Sequence, residues 1–345
     1  MVTMSDIGEK SFLKLLLPTL YVAPEFVNGF GHDASIIDVG LEELLAFKID
    51  RAPFPVSISR GFGDYRTWGR LAVAANVSDL LAVGAKPRAL MLSIVVPGSF
   101  NANHVREIVV GCEEACAAHQ VVFLGGDTKE GPAAQVIGAA LGTVKKGSTY
   151  GRAPARSGDY LFVAGRLGGF AGAVALLDAA TTVDKIPQTW IDTLINPIAR
   201  IAEGAYLREF CNVVAACDLS DGLTEAINIF CADGAGISIS ETALPMDFLA
   251  IEASTSYGVP LWQMAFGVGD WAIAFVVGEA DIDVFRAGIS AGLELYEIGQ
   301  FDDTGHKRIL DRAGVEQEVP NIINEHFRQR AEDGSRYSEL LMQKR

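Results

Sequence analysis

Six aspartates in this sequence stand beside glycines or at the ends of apolar runs, where solvation alone does not require a charge. Taken singly, each is typical of a helix cap or a turn. Six in similar contexts instead predict carboxylates that converge in space. Such a set suits Mg²⁺, because this ion prefers oxygen ligands and bridges phosphate oxygens of a nucleoside triphosphate. The six are Asp33, Asp50, Asp79, Asp127, Asp218 and Asp221.

A pair of glycines precedes one of these aspartates, in the turn Gly125-Gly126-Asp127-Thr128. Two glycines after a strand let backbone N–H groups approach a phosphate, while the neighbouring carboxylate can hold a metal ion. A tight left-handed turn is the alternative explanation of the same residues. The sequence has no Walker A motif, no dinucleotide-binding glycine pattern and no histidine pair at zinc-site spacing, which excludes those more familiar sites.

The apolar pattern places these aspartates on alternating strands and helices. The predicted strands are 44–49, 89–96, 121–124, 135–144, 160–164, 213–217, 237–240 and 271–277, and the predicted helices are 67–83, 103–119, 170–179, 198–210 and 223–232. Residues 145–159 are rich in Gly, Ser, Pro and basic side chains, which is typical of a linker. We therefore predict a mixed α/β chain with domains at 1–150 and 151–331, followed by a polar tail at 332–345.

Composition excludes several classes of protein. The chain has 345 residues, with 28 Lys and Arg against 43 Asp and Glu, a net charge of −15 that disfavours nucleic acid and anionic membranes as partners. No apolar run approaches the length of a membrane helix, and the first residues lack a signal-peptide pattern. Five cysteines without a CxxC pair favour free thiols, so we expect a cytoplasmic protein.

The order of the motifs resembles the thiamine-monophosphate kinases, a family within the superfamily of aminoimidazole ribonucleotide synthetase. The matching segments are GFGHDAS at 29–35, KID at 48–50, NVSDLLAVGAKP at 76–87, GGDTKEG at 125–131, DLSDGL at 218–223 and, weakly, GVGDWAI at 267–273. The resemblance extends over most of the chain, from Gly8 to Phe327. It implies the two-domain fold of that superfamily, and a homodimer whose N-terminal mixed sheets join beside an ATP-binding cleft completed by the C-terminal domain.

The same resemblance assigns roles to individual residues. It implies that the six aspartates bind Mg²⁺, and that Gly125, Gly126, Asp127, Arg152 and Ser220 contact ATP. Catalysis would then depend on Asp127, Asp221 and Arg152. An arginine there makes physical sense, because its guanidinium can hold phosphate oxygens and spread the charge that develops during transfer.

Departures from the family pattern concentrate where the acceptor would bind. His32 replaces the first carboxylate of GDD, Lys48 and Ile49 replace hydroxyl residues, and Gly269 and Ala272 replace two glutamates. The remaining acceptor positions are Ser57, Asp270, Trp271 and Asn324. A thiazolium cation needs a carboxylate and an aromatic face, so these changes favour an acceptor other than thiamine monophosphate. A diverged thiamine-monophosphate kinase, with Trp271 and Asp270 as substitutes, is the alternative.

Five cations lie in or beside the loop that follows Asp50: Lys48, Arg51, Arg60, Arg66 and Arg70. On an otherwise acidic protein they are typical either of an anionic acceptor or of a solvated loop. We therefore expect a small-molecule kinase that uses Mg²⁺ and ATP. Two further hypotheses remain open: a synthetase or cyclase that activates an amide or carboxylate with ATP, and a non-catalytic ATP-binding subunit.

Overall fold

The computed structural model describes residues 3–180, 186–210, 212–322, 327 and 341–343. Asn324, proposed above as an acceptor residue, lies outside the described residues, as does most of the predicted tail at 332–345. Among the helices that are described, none is long and apolar enough to cross a membrane.

The first half of the chain forms a five-stranded sheet with two long helices on one face. Its strands are β1 (Ser35–Ile37), β2 (Glu43–Ala52), β3 (Lys86–Val96), β4 (Val122–Glu130) and β5 (Gln135–Lys145), and the helices of this half are α1 (Met4–Ile7), α2 (Glu9–Leu16), α3 (Val56–Ser59), α4 (Arg66–Leu81) and α5 (Ala102–Ala118). The strand order is β1-β2-β5-β3-β4. Only the β3–β4 pair is parallel, so the sheet is mixed.

Helix α4 lies at the centre of this half and is buried along most of its length. Glycines let it pack closely on its neighbours: a Cβ at Gly69 would lie 2.0 Å from the carbonyl oxygen of Ile108 on α5, and one at Gly138 on β5 would lie 2.3 Å from the Asn76 amide. This close packing fixes the position of the polar residues at the C-terminal end of α4, including Asp79.

The second half forms a seven-stranded sheet in the order β12-β11-β8-β10-β6-β9-β7. Its strands are β6 (Tyr160–Ala164), β7 (Val213–Asp218), β8 (Gly236–Ser240), β9 (Ile273–Val277), β10 (Leu295–Asp302), β11 (Lys307–Leu310) and β12 (Glu316–Glu318), and its helices are α6 (Gly169–Ala179), α7 (Gln188–Ile195), α8 (Ile201–Phe210), α9 (Leu223–Phe230), α10 (Phe248–Tyr257), α11 (Leu261–Met264) and α12 (Ile282–Gly288). Three-residue 3₁₀ helices occur at Leu17–Thr19, Glu241–Ala243 and Glu279–Asp281.

The two halves share one hydrophobic core. Phe162 of β6 and Phe275 of β9 are fully buried in the cluster that also contains Leu80 and Val77 of α4. The opposite face of the second sheet packs against α6, α9 and α10 in a separate cluster. The shared core therefore holds the C-terminal end of α4 against the edge strand β7, and the mixed α/β architecture with two sheets is the one predicted from the sequence.

Candidate active site

Three aspartates from distant parts of the chain meet between the two sheets. Asp33 precedes β1, Asp79 lies near the end of α4, and Asp218 is the last residue of β7. All three are buried. Ligand atoms of Asp33, Asp218 and Cys217 all lie within 4.8 Å of one another. The structure therefore gathers carboxylates that are separated by up to half the sequence.

Strand β2 adds two more charges to this group. Because side chains alternate along a strand, Lys48 and Asp50 share the face that packs toward α4, while Ile49 points to the other face. The Lys48 ammonium lies 3.0 Å from Oδ2 of Asp79. Asp50 and Asp218 are also within its electrostatic reach.

The remaining ion pair in the group joins Asp33 to Arg152, in the segment that connects the two halves. Nε of Arg152 donates a hydrogen bond to Oδ1 of Asp33 at 3.0 Å, and a second guanidinium nitrogen contacts the same oxygen. The backbone N–H of Arg152 donates to Nδ1 of His32 at 3.1 Å. His32 thus anchors the backbone of Arg152, and burial lowers the pKa of its imidazole.

Burying these carboxylates together shifts their ionisation. Burial, and then the charge of Asp33, raise the pKa of Asp218 to about 7, although Arg152 and Lys48 oppose the shift. Burial and the charge of Asp218 likewise raise the pKa of Asp79. Ser78 and Ser220 donate hydroxyl hydrogen bonds to Asp218 at 3.4 and 3.0 Å. Among the residues that the structure describes, the site therefore contains more buried carboxylates than cations to pair with them.

The donor set fits a hard divalent cation. Oδ2 of Asp33 is buried and has no hydrogen-bond partner among the described residues, while the side chain has no solvent exposure. A buried carboxylate oxygen has lost its hydration, and here no hydrogen bond replaces it. A bound cation can supply the missing interaction. Asp33, Asp79 and Asp218 are the residues that could hold Mg²⁺, whereas the thiol of Cys217 is a poor ligand for it.

Asp221 lies at the margin of this group. Its carboxylate is 3.7 Å from the Lys10 ammonium on α2, and it is close enough to Cys217 to help raise the pKa of that thiol, after burial and Asp33. Lys10 also lies 2.8 Å from Glu225 on α9. The N-terminal helix therefore reaches the acidic site through a lysine that the sequence analysis did not single out.

Asp127 stands apart from the buried carboxylates. It is exposed on β4, its nearest charged partner is Lys129 at 3.7 Å, and it is not among the charges that shift Asp79 or Asp218. The glycines before it have structural roles. Gly125 has φ +87°, and a Cβ on Gly126 would lie 1.7 Å from the carbonyl oxygen of Leu92. Five of the six predicted metal ligands thus cluster, and this one does not.

The residues predicted to contact the acceptor lie in different environments. Ser57 is fully buried in α3, so it is not exposed to a substrate in this structure. Trp271 is near the acidic group, because it precedes β9 by two residues and Ile273 of β9 is paired with Asp218. Its φ of 51° is unusual for a residue with a side chain, and such strain is common at functional sites.

Asp270 has a structural partner that the sequence did not indicate. Its carboxylate accepts backbone hydrogen bonds from Gly168 at 2.6 Å and Phe170 at 2.8 Å, at the start of α6. Burial raises its pKa to about 6, although these N–H groups lower it. Next to it, a Cβ on Gly269 would lie 2.5 Å from the Phe170 ring. Asp270 therefore caps a helix, and Phe170 fills the space beside Gly269.

The five cations near Asp50 do not form a free basic patch. Lys48 is paired with Asp79, Arg60 with Asp178 at 2.7 Å, and both Arg66 and Arg70 with Glu114 at 2.8 Å. The anionic acceptor was inferred from these side chains as a group. Because four of them are already neutralised by carboxylates, they do not support that inference.

A cavity of about 630 Å³ adjoins the acidic group on the open face of the first sheet. Its lining includes His32 and Asp33 as well as the exposed apolar side chains of Met91 and Leu124. A pocket lined by apolar side chains and a few charged groups is typical of a small-molecule site.

Comparison with known proteins agrees with this geometry. Residues 31–144 match the family model described as AIR synthase related protein, N-terminal domain. The thiamine-monophosphate kinase of Buchnera aphidicola (Acyrthosiphon pisum) is 30% identical over 69% of this chain and 73% of its own length. The thiamine-monophosphate kinase of Pyrococcus abyssi is 34% identical over 52% of this chain and 56% of its own length.

A solved structure described as AaThiL complexed with AMPPCP and TMP superposes with a TM-score of 0.78 at 23% identity, over 94% of this chain and 99% of that one. At this identity the likeness establishes the fold. The match to the Buchnera enzyme covers more than two thirds of both chains and establishes the family. The chain belongs to the thiamine-monophosphate kinase family of ATP-dependent kinases.

Proposed function

We propose that this protein transfers the γ-phosphoryl group of ATP to thiamine monophosphate in a reaction that requires Mg²⁺. The observation that carries the proposal is the group of Asp33, Asp79 and Asp218, in which three buried carboxylates have only two cations of the described chain paired with them. A site for a divalent cation explains why that charge is retained. The kinase names of the relatives, and the AMPPCP in the solved neighbour, support ATP as the phosphoryl donor.

The residues of this chain would contribute mainly by position and charge. A bound Mg²⁺ would supply neutralisation of the phosphate oxygens. Asp33, Asp79 and Asp218 would hold it through carboxylate oxygens, with Asp50 and Asp221 beside them. Arg152 can turn its guanidinium to a phosphate once a cation takes over Asp33. Transfer to a phosphate acceptor needs no covalent residue and no strong base, so Asp270 is free to remain a helix cap.

The direct experiment is to incubate the protein with Mg²⁺, ATP and thiamine monophosphate and to measure thiamine diphosphate and ADP. We expect the two products in equal amounts. The family resemblance assigns Asp221 and Asp127 to the metal and ATP site, so Asp221→Asn and Asp127→Asn should each reduce turnover by orders of magnitude. Asp38→Asn, at a surface pair with Lys146, is the matched control and should retain wild-type turnover. Absence of diphosphate from the wild-type reaction would contradict the proposed acceptor.

A second acceptor is favoured by one specific feature, the ring of Phe170 over Gly269. The glutamate that the family motif carries at this position has no room here, because even a Cβ would lie 2.5 Å from that ring. If thiamine monophosphate is not phosphorylated, the same reaction with a metabolite extract should identify the alternative acceptor. Mass spectrometry would show which molecule gains one phosphoryl group.

We also propose that the chain forms a homodimer through the open face of the first sheet. Ile49 of β2 and Leu124 of β4 are 71% and 57% exposed there, and Phe47, Met91 and Val122 are exposed beside them. Contiguous apolar surface on one face of a sheet is typical of an interaction site. The twofold arrangement expected from the family resemblance would cover this face and enclose the adjoining cavity.

A further inference from the structure

Strand β2 directs the side chain of Lys48 into the acidic group. Its ammonium lies 3.0 Å from Asp79, and the side chains of Lys48 and Asp79 are only 22% and 6% exposed. Asp50, two residues along the same face, and Asp218, across the domain boundary, also act on the ammonium electrostatically. One largely buried ammonium is therefore paired with Asp79 and lies within the electrostatic influence of two further carboxylates.

This environment differs from that of an ordinary surface ion pair. Lys146, for comparison, pairs with the single carboxylate of Asp38 at 2.8 Å, and both side chains are substantially exposed. Exposed pairs of that kind contribute little and exchange readily with water and salt. Lys48 instead lies opposite Ala140 on the buried side of the β2–β5 pair, where a move away from Asp79 would leave a buried carboxylate unpaired.

Carboxylate oxygens such as those of Asp79 are also the ligands that a hard divalent cation prefers. Mg²⁺ binds carboxylate oxygens at about 2.0–2.1 Å, so it cannot share the same oxygens and the same space with an ammonium at 3.0 Å from Asp79. The ammonium and the metal ion would also repel each other. Because Lys48 is attached to the sheet, it cannot dissociate as a free ion would.

We propose that the ammonium of Lys48 takes one cation position of the acidic site, the one bounded by Asp50, Asp79 and Asp218. The protein then binds one divalent cation fewer than these carboxylates would otherwise hold. Asp33 and Asp218 remain available to a metal ion, since Oδ2 of Asp33 has no hydrogen-bond partner among the described residues and ligand atoms of the two side chains lie within 4.8 Å of each other. The inference rests on the proposed function, because it concerns the same metal site.

The test is to count the Mn²⁺ ions bound per chain, by electron paramagnetic resonance of free Mn²⁺, with Mn²⁺ alone and with added AMPPCP. Lys48→Met removes the charge and keeps the length of the side chain, and we expect it to bind one more Mn²⁺ than the wild type. Lys48→Arg, which keeps the charge, and Lys146→Met, which removes a lysine outside the site, should bind the wild-type number.

An equal count for Lys48→Met and the wild type overturns the inference, and if the wild type does bind Mn²⁺ the proposed function still stands. A wild type that binds no Mn²⁺, beside a Lys48→Met variant that binds one, supports the inference and contradicts the proposed function. No binding by either protein contradicts both.

A second measurement uses only the wild-type protein, in case Lys48→Met fails to fold. Crystals soaked in Mn²⁺ and AMPPCP would be examined for anomalous scattering. We expect a manganese peak beside Asp33 and Asp218, with the Lys48 ammonium still against Asp79. A manganese peak bonded to Asp79, with Lys48 turned away, overturns the inference.

Discussion

At the scale of single residues, the acidic site is defined by which carboxylates have a cation of their own. Arg152 pairs with Asp33 at 3.0 Å and Lys48 pairs with Asp79 at 3.0 Å. Lys10 lies 3.7 Å from Asp221. Asp218 bonds two serine hydroxyls and has no ion pair within the described part of the chain. Asp218 is therefore a buried carboxylate whose charge has no cation beside it in the absence of a metal ion.

Asp218→Asn should stabilise the metal-free protein at neutral pH. The pKa of Asp218 is raised to about 7 in the folded state. The protonated side chain therefore stabilises the folded protein fully at pH values below the pKa of the unfolded chain, and this stabilisation is lost as pH rises through about 7. We expect wild-type stability in a chelator to fall between acidic and neutral pH. At pH 8 the variant should exceed it by about 2–4 kcal/mol in urea unfolding.

Mg²⁺ should reverse that difference, because a ligand that binds only the folded state stabilises it. We expect the melting temperature of the wild type to rise when Mg²⁺ and AMPPCP are added at pH 8, and that of Asp218→Asn to stay unchanged. Equal gains in the two proteins would mean that Asp218 is not part of the metal site.

Arg152→Ala should have the opposite effect on the metal-free protein. It removes the partner of Asp33, whose side chain has no solvent exposure, and loss of one member of a buried pair costs about 3–5 kcal/mol. Urea unfolding in a chelator measures this loss, and added Mg²⁺ should recover part of it. Arg60→Ala, at an exposed pair with Asp178, is the control and should change stability by less than about 1 kcal/mol. A similar small change in both variants would contradict the buried pair.

At the scale of elements, the pairing of β4 with β3 shifts register at two adjacent glycines, which are needed for different reasons. Gly125 adopts φ +87° with open space around its Cβ position, whereas a Cβ on Gly126 would meet the carbonyl oxygen of Leu92 at 1.7 Å. Gly125→Ala should cost about 1–2 kcal/mol from the left-handed conformation. Gly126→Ala should cost more, because β3 and β4 must separate. Equal midpoints of urea unfolding for the two variants would contradict this assignment.

The elements that the sequence predicted well are long and rich in apolar residues. Strand β2 was expected at 44–49 and helix α4 at 67–83, and the structure has Glu43–Ala52 and Arg66–Leu81. Strands β10 to β12 were not predicted. In β10, a register shift between Glu297 and Gly299 interrupts the alternation. Strands β11 and β12 have only four and three residues, too few to show a clear strand pattern.

At the scale of the whole molecule, the residue types in the sequence predicted the acidic site but not which cation pairs with each aspartate. Aspartates at the ends of apolar runs or near glycines were the signal that predicted the convergence of Asp33, Asp79 and Asp218. The pairing of Lys48 with Asp79, by contrast, depends on the tertiary packing of β2 under α4. The sequence does indicate that Lys48 and Asp50 lie on the same face of β2, since the side chains of residues two apart on a strand point to the same side.

The exposed apolar residues on the open face of the first sheet lead us to expect a dimer that forms through that face. Ile49→Glu would place a charge in the centre of the proposed dimer interface, where desolvating it is unfavourable. We expect the wild type to have the mass of a dimer in light scattering and the variant to have that of a monomer. Val284→Glu, equally exposed at 68% on α12, should leave the mass unchanged. A dimeric Ile49→Glu variant would place the interface elsewhere.

The account depends most on the claim that the buried aspartates bind a divalent cation together with the nucleotide. Calorimetric titration of the wild-type protein with AMPPCP, in Mg²⁺ and in a chelator, tests this directly. We predict binding in Mg²⁺ that is lost in the chelator, and loss of binding in both conditions for an Asp33→Asn, Asp218→Asn double variant. Binding of equal strength with and without Mg²⁺, or binding that survives in the double variant, would contradict the claim.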